Sequence, residues 1–163
     1  MARKTFQDAL FEIKTKGKKA TNLKLNPLET DKEIDEYLEE INYSEANKEL
    51  LHDDDTDVYV ISFKNNVPAG LLALNEDKSF IHDIYILGKY KDKGYFKETL
   101  IFCIEEKKCT KVSVNKYNKR AVIGYIAYNF LFDGYNRDNK DLYNMKYVDN
   151  TEATNQRTIY DRI

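Results

Sequence analysis

The stretch that decides the fold is Ile84-Tyr85-Ile86-Leu87-Gly88-Lys89-Tyr90-Lys91-Asp92-Lys93-Gly94-Tyr95-Phe96. It continues from Phe80-Ile81-His82-Asp83, and its first part is β-branched and aromatic, as a strand is. Gly88–Lys93 is a polar, basic loop. From Gly94 the spacing of Phe96, Leu100, Cys103 and Lys107 predicts a helix to about Lys108. A glycine-containing basic loop that opens a helix offers unpaired backbone N–H groups and the positive end of the helix dipole. That suits a pyrophosphate, although an ordinary polar loop before a surface helix has the same look.

Reading back from this junction, Val58-Tyr59-Val60-Ile61-Ser62-Phe63 is apolar on both faces, as a buried central strand is. Asn65-Asn66 reads as a tight turn and Val67–Leu74 as the returning strand of a hairpin. Further back, Thr30-Asp31-Lys32-Glu33 is a capping box opening a helix with Ile34, Leu38 and Ile41 at helical spacing, and a shorter helical piece follows over Ser44–Leu51. Asn22–Asn26 alternates like a short strand that Pro27 ends. Phe6, Leu10 and Ile13 mark a helix over residues 5–16, with Gly17 as its stop. Reading forward, Lys111–Val114 is a strand, Lys119–Asn129 a helix, and Leu131–Tyr135 with Leu142–Val148 a final hairpin. The order predicts an α/β (α+β) domain with helices flanking a mixed, largely antiparallel sheet.

Composition sets the limits. The chain of 163 residues is 42% hydrophobic and 13% aromatic, with 13 Tyr and no Trp, enough for one core and one domain. Residues 1–20 read as an extra N-terminal helix, 21–148 as the core and 149–163 as a tail. Lys plus Arg number 26 against 28 acidic residues, so there is no positive excess of the kind a phosphate-backbone binder carries, and nucleic acid is an unexpected partner. No apolar run approaches the roughly 20 residues that span a bilayer. The polar start Met1–Asp8 has no signal-peptide character, and Cys103 and Cys109 read as reduced thiols, so a cytoplasmic protein is expected.

Several segments, taken together, resemble one family. Lys91-Asp92-Lys93-Gly94-Tyr95-Phe96 resembles the Arg/Gln-x-x-Gly-x-Gly/Ala acyl-CoA loop of the GNAT acetyltransferase superfamily, with Ile84-Tyr85-Ile86 where that family has its splayed fourth strand. Asn118-Lys119-Arg120-Ala121, Tyr125 and Asn129-Phe130 look like its Asn-x-x-Ala … Tyr … Gly-Phe signature in register. Leu23–Leu28 and Leu142–Met145 are similar to its first and closing strands, so the resemblance covers about residues 21–148. Phe96 stands where the family has a small residue, Lys91 replaces Arg or Gln, and Asn129 replaces Gly. Phe96 either crowds the approach to the phosphates or turns into the helix–sheet core.

The resemblance implies a splayed central strand pair and an acyl-CoA-dependent N-acyltransferase, with acetyl-CoA as co-substrate and no metal. The acceptor would be a primary amine on a small molecule or a protein. It places the cofactor at Ile84, Tyr85, Ile86, Lys91, Asp92, Lys93, Gly94, Tyr95, Phe96 and Asn118. It makes Tyr125 the acid and puts the base at His82 or Asp83, with His82 preferred because it titrates near neutrality. Strand alternation puts His82 on one face with Ile84 and Ile86 and Asp83 on the other with Tyr85. The alternative is a GNAT-fold protein without turnover that binds a partner protein; a homodimer is compatible with either. His52-Asp53-Asp54-Asp55-Thr56-Asp57 reads as a solvated acidic turn and not a calcium loop. Lys14, Lys16, Lys18 and Lys19 read as a solvated helix end.

Overall fold

The apolar run Leu71-Leu72-Ala73-Leu74 has no exposed surface at all, because it lies at the centre of a sheet covered on both faces. In the computed structural model, which describes residues 23–43, 48–63 and 67–148, the described strands are β1 (Lys24–Leu28), β2 (Asp57–Phe63), β3 (Val67–Asn75), β4 (Phe80–Ile86), β5 (Lys111–Asn115), β6 (Phe130–Tyr135) and β7 (Leu142–Tyr147). They form one sheet of order β1-β2-β3-β4-β5-β7-β6. Every neighbouring pair is antiparallel except β4 with β5, which is parallel. The described helices are α1 (Asp31–Glu40), α2 (Tyr95–Glu105) and α3 (Lys119–Ala127). The segment 5–16, the turn at 65–66, the Lys14–Lys19 run and the tail from 149 lie outside the described residues.

Two apolar layers result. On one face α2 and α3 bury Leu100, Cys103, Val122 and Ile126 against Leu72, Leu74, Ile81, Ile84 and Ile86. On the other, α1 buries Ile34, Tyr37 and Leu38 against Val58, Leu71 and Ala73. The first turn of α1 is capped as expected: Thr30 Oγ1 accepts from the Glu33 N–H at 3.1 Å. The reciprocal bond reaches one residue further, from the Glu29 N–H to Glu33 Oε2. Leu51 is 1% exposed within a 3₁₀ turn, Lys48–His52, which is the described part of the expected helical piece; residues 44–47 lie outside the described residues. His52 fastens that turn to α1, with Nδ1 on Asp31 and Nε2 on Asp35, each at 2.8 Å. The acidic run is thus part clamp: His52 is bound, and only the residues after it form a turn.

Pro27 does not end its strand. It lies inside β1, paired with Tyr59, because β1 is an edge where a missing N–H costs no ladder bond. α3 stops at Ala127, and Asn129 takes a left-handed φ of 72°, the conformation for which Asn can stand in for Gly.

Candidate active site

β4 and β5 pair only at Phe80–Lys111 and Ile81–Val112, although β4 runs on to Ile86 and β5 to Asn115. Past residue 81 the two strands therefore share no ladder. A cavity of about 230 Å³ opens between them, walled by Ile84, Tyr85 and Ile86 on one side and Ser113, Val114 and Asn115 on the other. The Leu87 N–H donates to the Ala69 carbonyl at 2.8 Å. Successive residues of a strand point their N–H groups to opposite edges. Those of Ile84 and Ile86 are thereby turned away from β3, toward the gap. Among the described residues Ser113 Oγ is buried in the opposite wall without a hydrogen-bond partner.

The loop after β4 makes one 3₁₀ turn over Gly88–Tyr90 and then passes through left-handed Asp92 (φ 65°) and Gly94 (φ 88°). A left-handed φ at 94 costs glycine little and any residue with a Cβ more. The first intrahelical bond of α2 runs from the Glu98 N–H to the Gly94 carbonyl, so the N–H groups of Tyr95, Phe96 and Lys97 have no partner within the helix. Gly94 supplies no capping side chain. The N-terminus of α3 borders the same cavity, capped by Asn118 Oδ1 on the Ala121 N–H at 3.1 Å. An Arg120–Asp92 ion pair ties the two helix entries together. Lys91 and Lys97 add positive charge to the lining. Tyr90, Tyr95 and Phe63 brace the loop: Phe63 stacks on Tyr95 at 5.4 Å and meets Tyr90 edge-on at 5.1 Å.

Phe96 resolves its two expected orientations in favour of the core. Its ring meets Tyr125 edge-on at 5.3 Å and lies over Gly124, where an added Cβ would stand 2.8 Å from Phe96 Cε1. The helix interior at 124 lacks a side chain where the bulky residue at 96 needs room. The ring lines the cavity without filling it.

Tyr125 is 2% exposed, held between Phe96 and Phe130. Burial, then the negative field of Asp83 and then that of Cys103, push its hydroxyl well above the usual tyrosine range. Asp83 accepts a hydrogen bond from Tyr43 Oη at 2.6 Å. His82 rests its ring on Phe80 at 4.8 Å. Burial lowers its pKa and Lys78 adds to that, while Asp53 opposes them, so the ring is neutral near pH 7.

The expected alternation holds for Asp83, which lies with Tyr85 against Tyr43, and breaks at His82. Ala73 faces Asp83 while Leu74 faces Ile81, which leaves His82 without a cross-strand partner in a β-bulge. Ile81, Ile84 and Ile86 consequently share the α2–α3 face. Both His82 and Asp83 border the cavity. Of the expected site residues, all except Lys93 line it; Tyr90, Ser113, Arg120 and Asn139 line it as well and were not foreseen. Ser113 could not have been found without the parallel register of β5, which leaves no local sequence mark. Among the described residues no cluster of His, Cys, Asp and Glu could hold a metal ion, and no described helix is long and apolar enough to cross a membrane.

A mixed sheet whose central parallel pair splays beside a helix-opening loop defines the acetyltransferase class of fold. The comparisons place the chain there. The sequence matches no family model and, at a significant level, no curated protein. Mutant forms of the spermidine/spermine N-acetyltransferase SpeG from Vibrio cholerae superpose with a TM-score of 0.55 at 21% identity, covering 83% of this chain and 98% of that one. The dodecameric spermidine N-acetyltransferase from Vibrio cholerae superposes at 0.54 with 17% identity, covering 77% and 93%. At such identities the likeness is one of fold: this chain has the GNAT fold, as its loop and signature implied.

Proposed function

We propose that this protein is an N-acetyltransferase that moves an acetyl group from acetyl-CoA to a primary amine, both substrates being bound together. The observation that carries the reading is the wedge between β4 and β5, open onto two helix N-termini. The lining fits the donor: left-handed Asp92 and Gly94 shape a loop whose amides suit phosphate oxygens, and Ser113 Oγ is a buried polar atom in need of a partner. Bound there, acetyl-CoA supplies an activated thioester. The amides of residues 92–96, with Lys91 close by, would hold the pyrophosphate, with Asn118 at the second helix entry. The N–H groups of Ile84 and Ile86, on either side of Tyr85, would donate to the thioester oxygen, and losing one such donor costs about 100- to 1000-fold in rate.

Proton traffic would run between two groups that both border the cavity, Asp83 and Tyr125. Asp83 accepts the proton from the attacking ammonium; we prefer it to His82 because its field reaches Tyr125, whereas the ring of His82 packs on Phe80. Tyr125, kept protonated by burial, gives its proton to the departing sulfur as the new N–C bond forms and the C–S bond breaks. The reading of a turnover-less partner-binding protein rested on Phe96 obstructing the site, and its ring is turned onto Gly124 instead.

The test is calorimetric titration with acetyl-CoA, followed by thiol release over a panel of amines. Polyamines come first, because the like-folded structures are named for spermidine. Binding that Gly94→Val abolishes, with turnover of at least one amine, is expected. No binding at millimolar acetyl-CoA would overturn the proposal.

A further inference from the structure

Tyr43 lies 40 residues from Asp83 in sequence, yet its hydroxyl donates to Asp83 Oδ2 at 2.6 Å. The chain aims it there. Asn42, at a left-handed φ of 52°, turns the backbone at the end of α1, and the Tyr43 N–H returns to the Leu38 carbonyl at 2.9 Å. That turn lays the ring on the sheet, 3% exposed and edge-on to Tyr85 at 5.1 Å. A neutral donor at this distance favours the ionised carboxyl over the protonated one and restricts its rotation. From Asp83 to Ile86 the pairing with β3 is regular, so Asp83 shares the side of Tyr85, which packs on Tyr43.

We infer that Tyr43 is a positioning residue: it holds the Asp83 carboxylate ionised and aimed into the cavity, and so sets how the amine acceptor is used. The inference rests on the acetyltransferase reading for its consequence but not for its geometry. Among the described residues, the titratable groups around Asp83 include Tyr43 from the end of α1, Tyr85 and His82 from its own strand, and Tyr125 from α3.

The test is Tyr43→Phe, which keeps the ring and its packing and removes one O–H. Hydrogen bonds to charged groups are worth enough that kcat/KM for the amine should fall about 10- to 100-fold while acetyl-CoA affinity stays within about twofold. The acid limb of the kcat/KM profile should also move to higher pH. In carboxyl-carbon NMR, with Asp83→Asn assigning the resonance, the Asp83 titration should move up by about one pH unit. A ring that only fills space would leave both titrations where they were, and that result overturns the inference. A moved Asp83 titration with unchanged kcat/KM overturns the role in turnover. A moved titration in a protein that acetylates no amine refutes the acetyltransferase reading, and the role in turnover goes with it.

Discussion

Replacing Gly124 by Ala puts a number on the reading of Phe96. In an ordinary helix interior Gly→Ala stabilises by about 1 kcal/mol. Here the new methyl would stand 2.8 Å from Phe96 Cε1, closer than real contacts allow, and the ring cannot swing freely because Tyr125 lies against it. Overpacking of this kind costs about 1–3 kcal/mol, so Gly124→Ala alone should destabilise by about 1 kcal/mol. Phe96→Ala, at a partly buried ring, should cost about 2–3 kcal/mol, below the range for a fully buried one. In that background Gly124→Ala meets open space and should stabilise by about 1 kcal/mol. The cycle thus predicts a coupling of about 2 kcal/mol, read from denaturant midpoints of the four proteins at constant m. Additivity within about 0.5 kcal/mol would refute the claim that residue 124 is kept bare for the ring at 96. The same four proteins titrated with acetyl-CoA extend the test. Phe96→Ala should still bind, since the ring lines the cavity without filling it.

Two further outcomes follow from the geometry. Tyr125→Phe should lower kcat by about 100-fold or more with acetyl-CoA affinity nearly unchanged, and a wild-type rate in a steady-state assay would remove the hydroxyl from the proton path. His52 has its pKa raised, chiefly by the bond to Asp31, while burial opposes this and Asp35 adds to it. A histidine whose folded pKa is raised contributes stability in full below its unfolded value of 6.5 and loses it as pH climbs through the folded value. His52→Gln should therefore cost more stability at pH 6 than at pH 9, and equal losses at both would show that the two carboxylates do not hold an imidazolium.

Much of the frame was legible because it is written locally. Thr30 with Glu33 announced α1, the doubly apolar run at 58–63 announced an interior strand, and Asn129 fitted a left-handed helix end. The loop from Lys91 to Phe96 and the Asn118 … Tyr125 spacing carried the fold resemblance and part of the cavity lining. What failed was inference by alternation at His82. A bulge adds one residue to β4 opposite Ala73–Leu74, and nothing in Ile81-His82-Asp83-Ile84 marks it. Cys103 and Cys109, read as reduced thiols, are both buried, and the Cys109 N–H donates to the Cys103 carbonyl at 2.9 Å, a closeness that their spacing did not announce.

The sequence by itself determined that the three described helices and the strands of the sheet form near where they do, where α1 and α3 are capped, and that a basic loop opens α2, because periodicity, capping and glycine conformations act over a few residues. Only the tertiary structure decided that β4 and β5 part after two paired residues, that Phe96 lies on Gly124, and that Tyr43 reaches Asp83. Those outcomes depend on which distant surfaces meet and in what register. Packing sets that through contacts between segments far apart in the chain, and such contacts leave no local pattern to read.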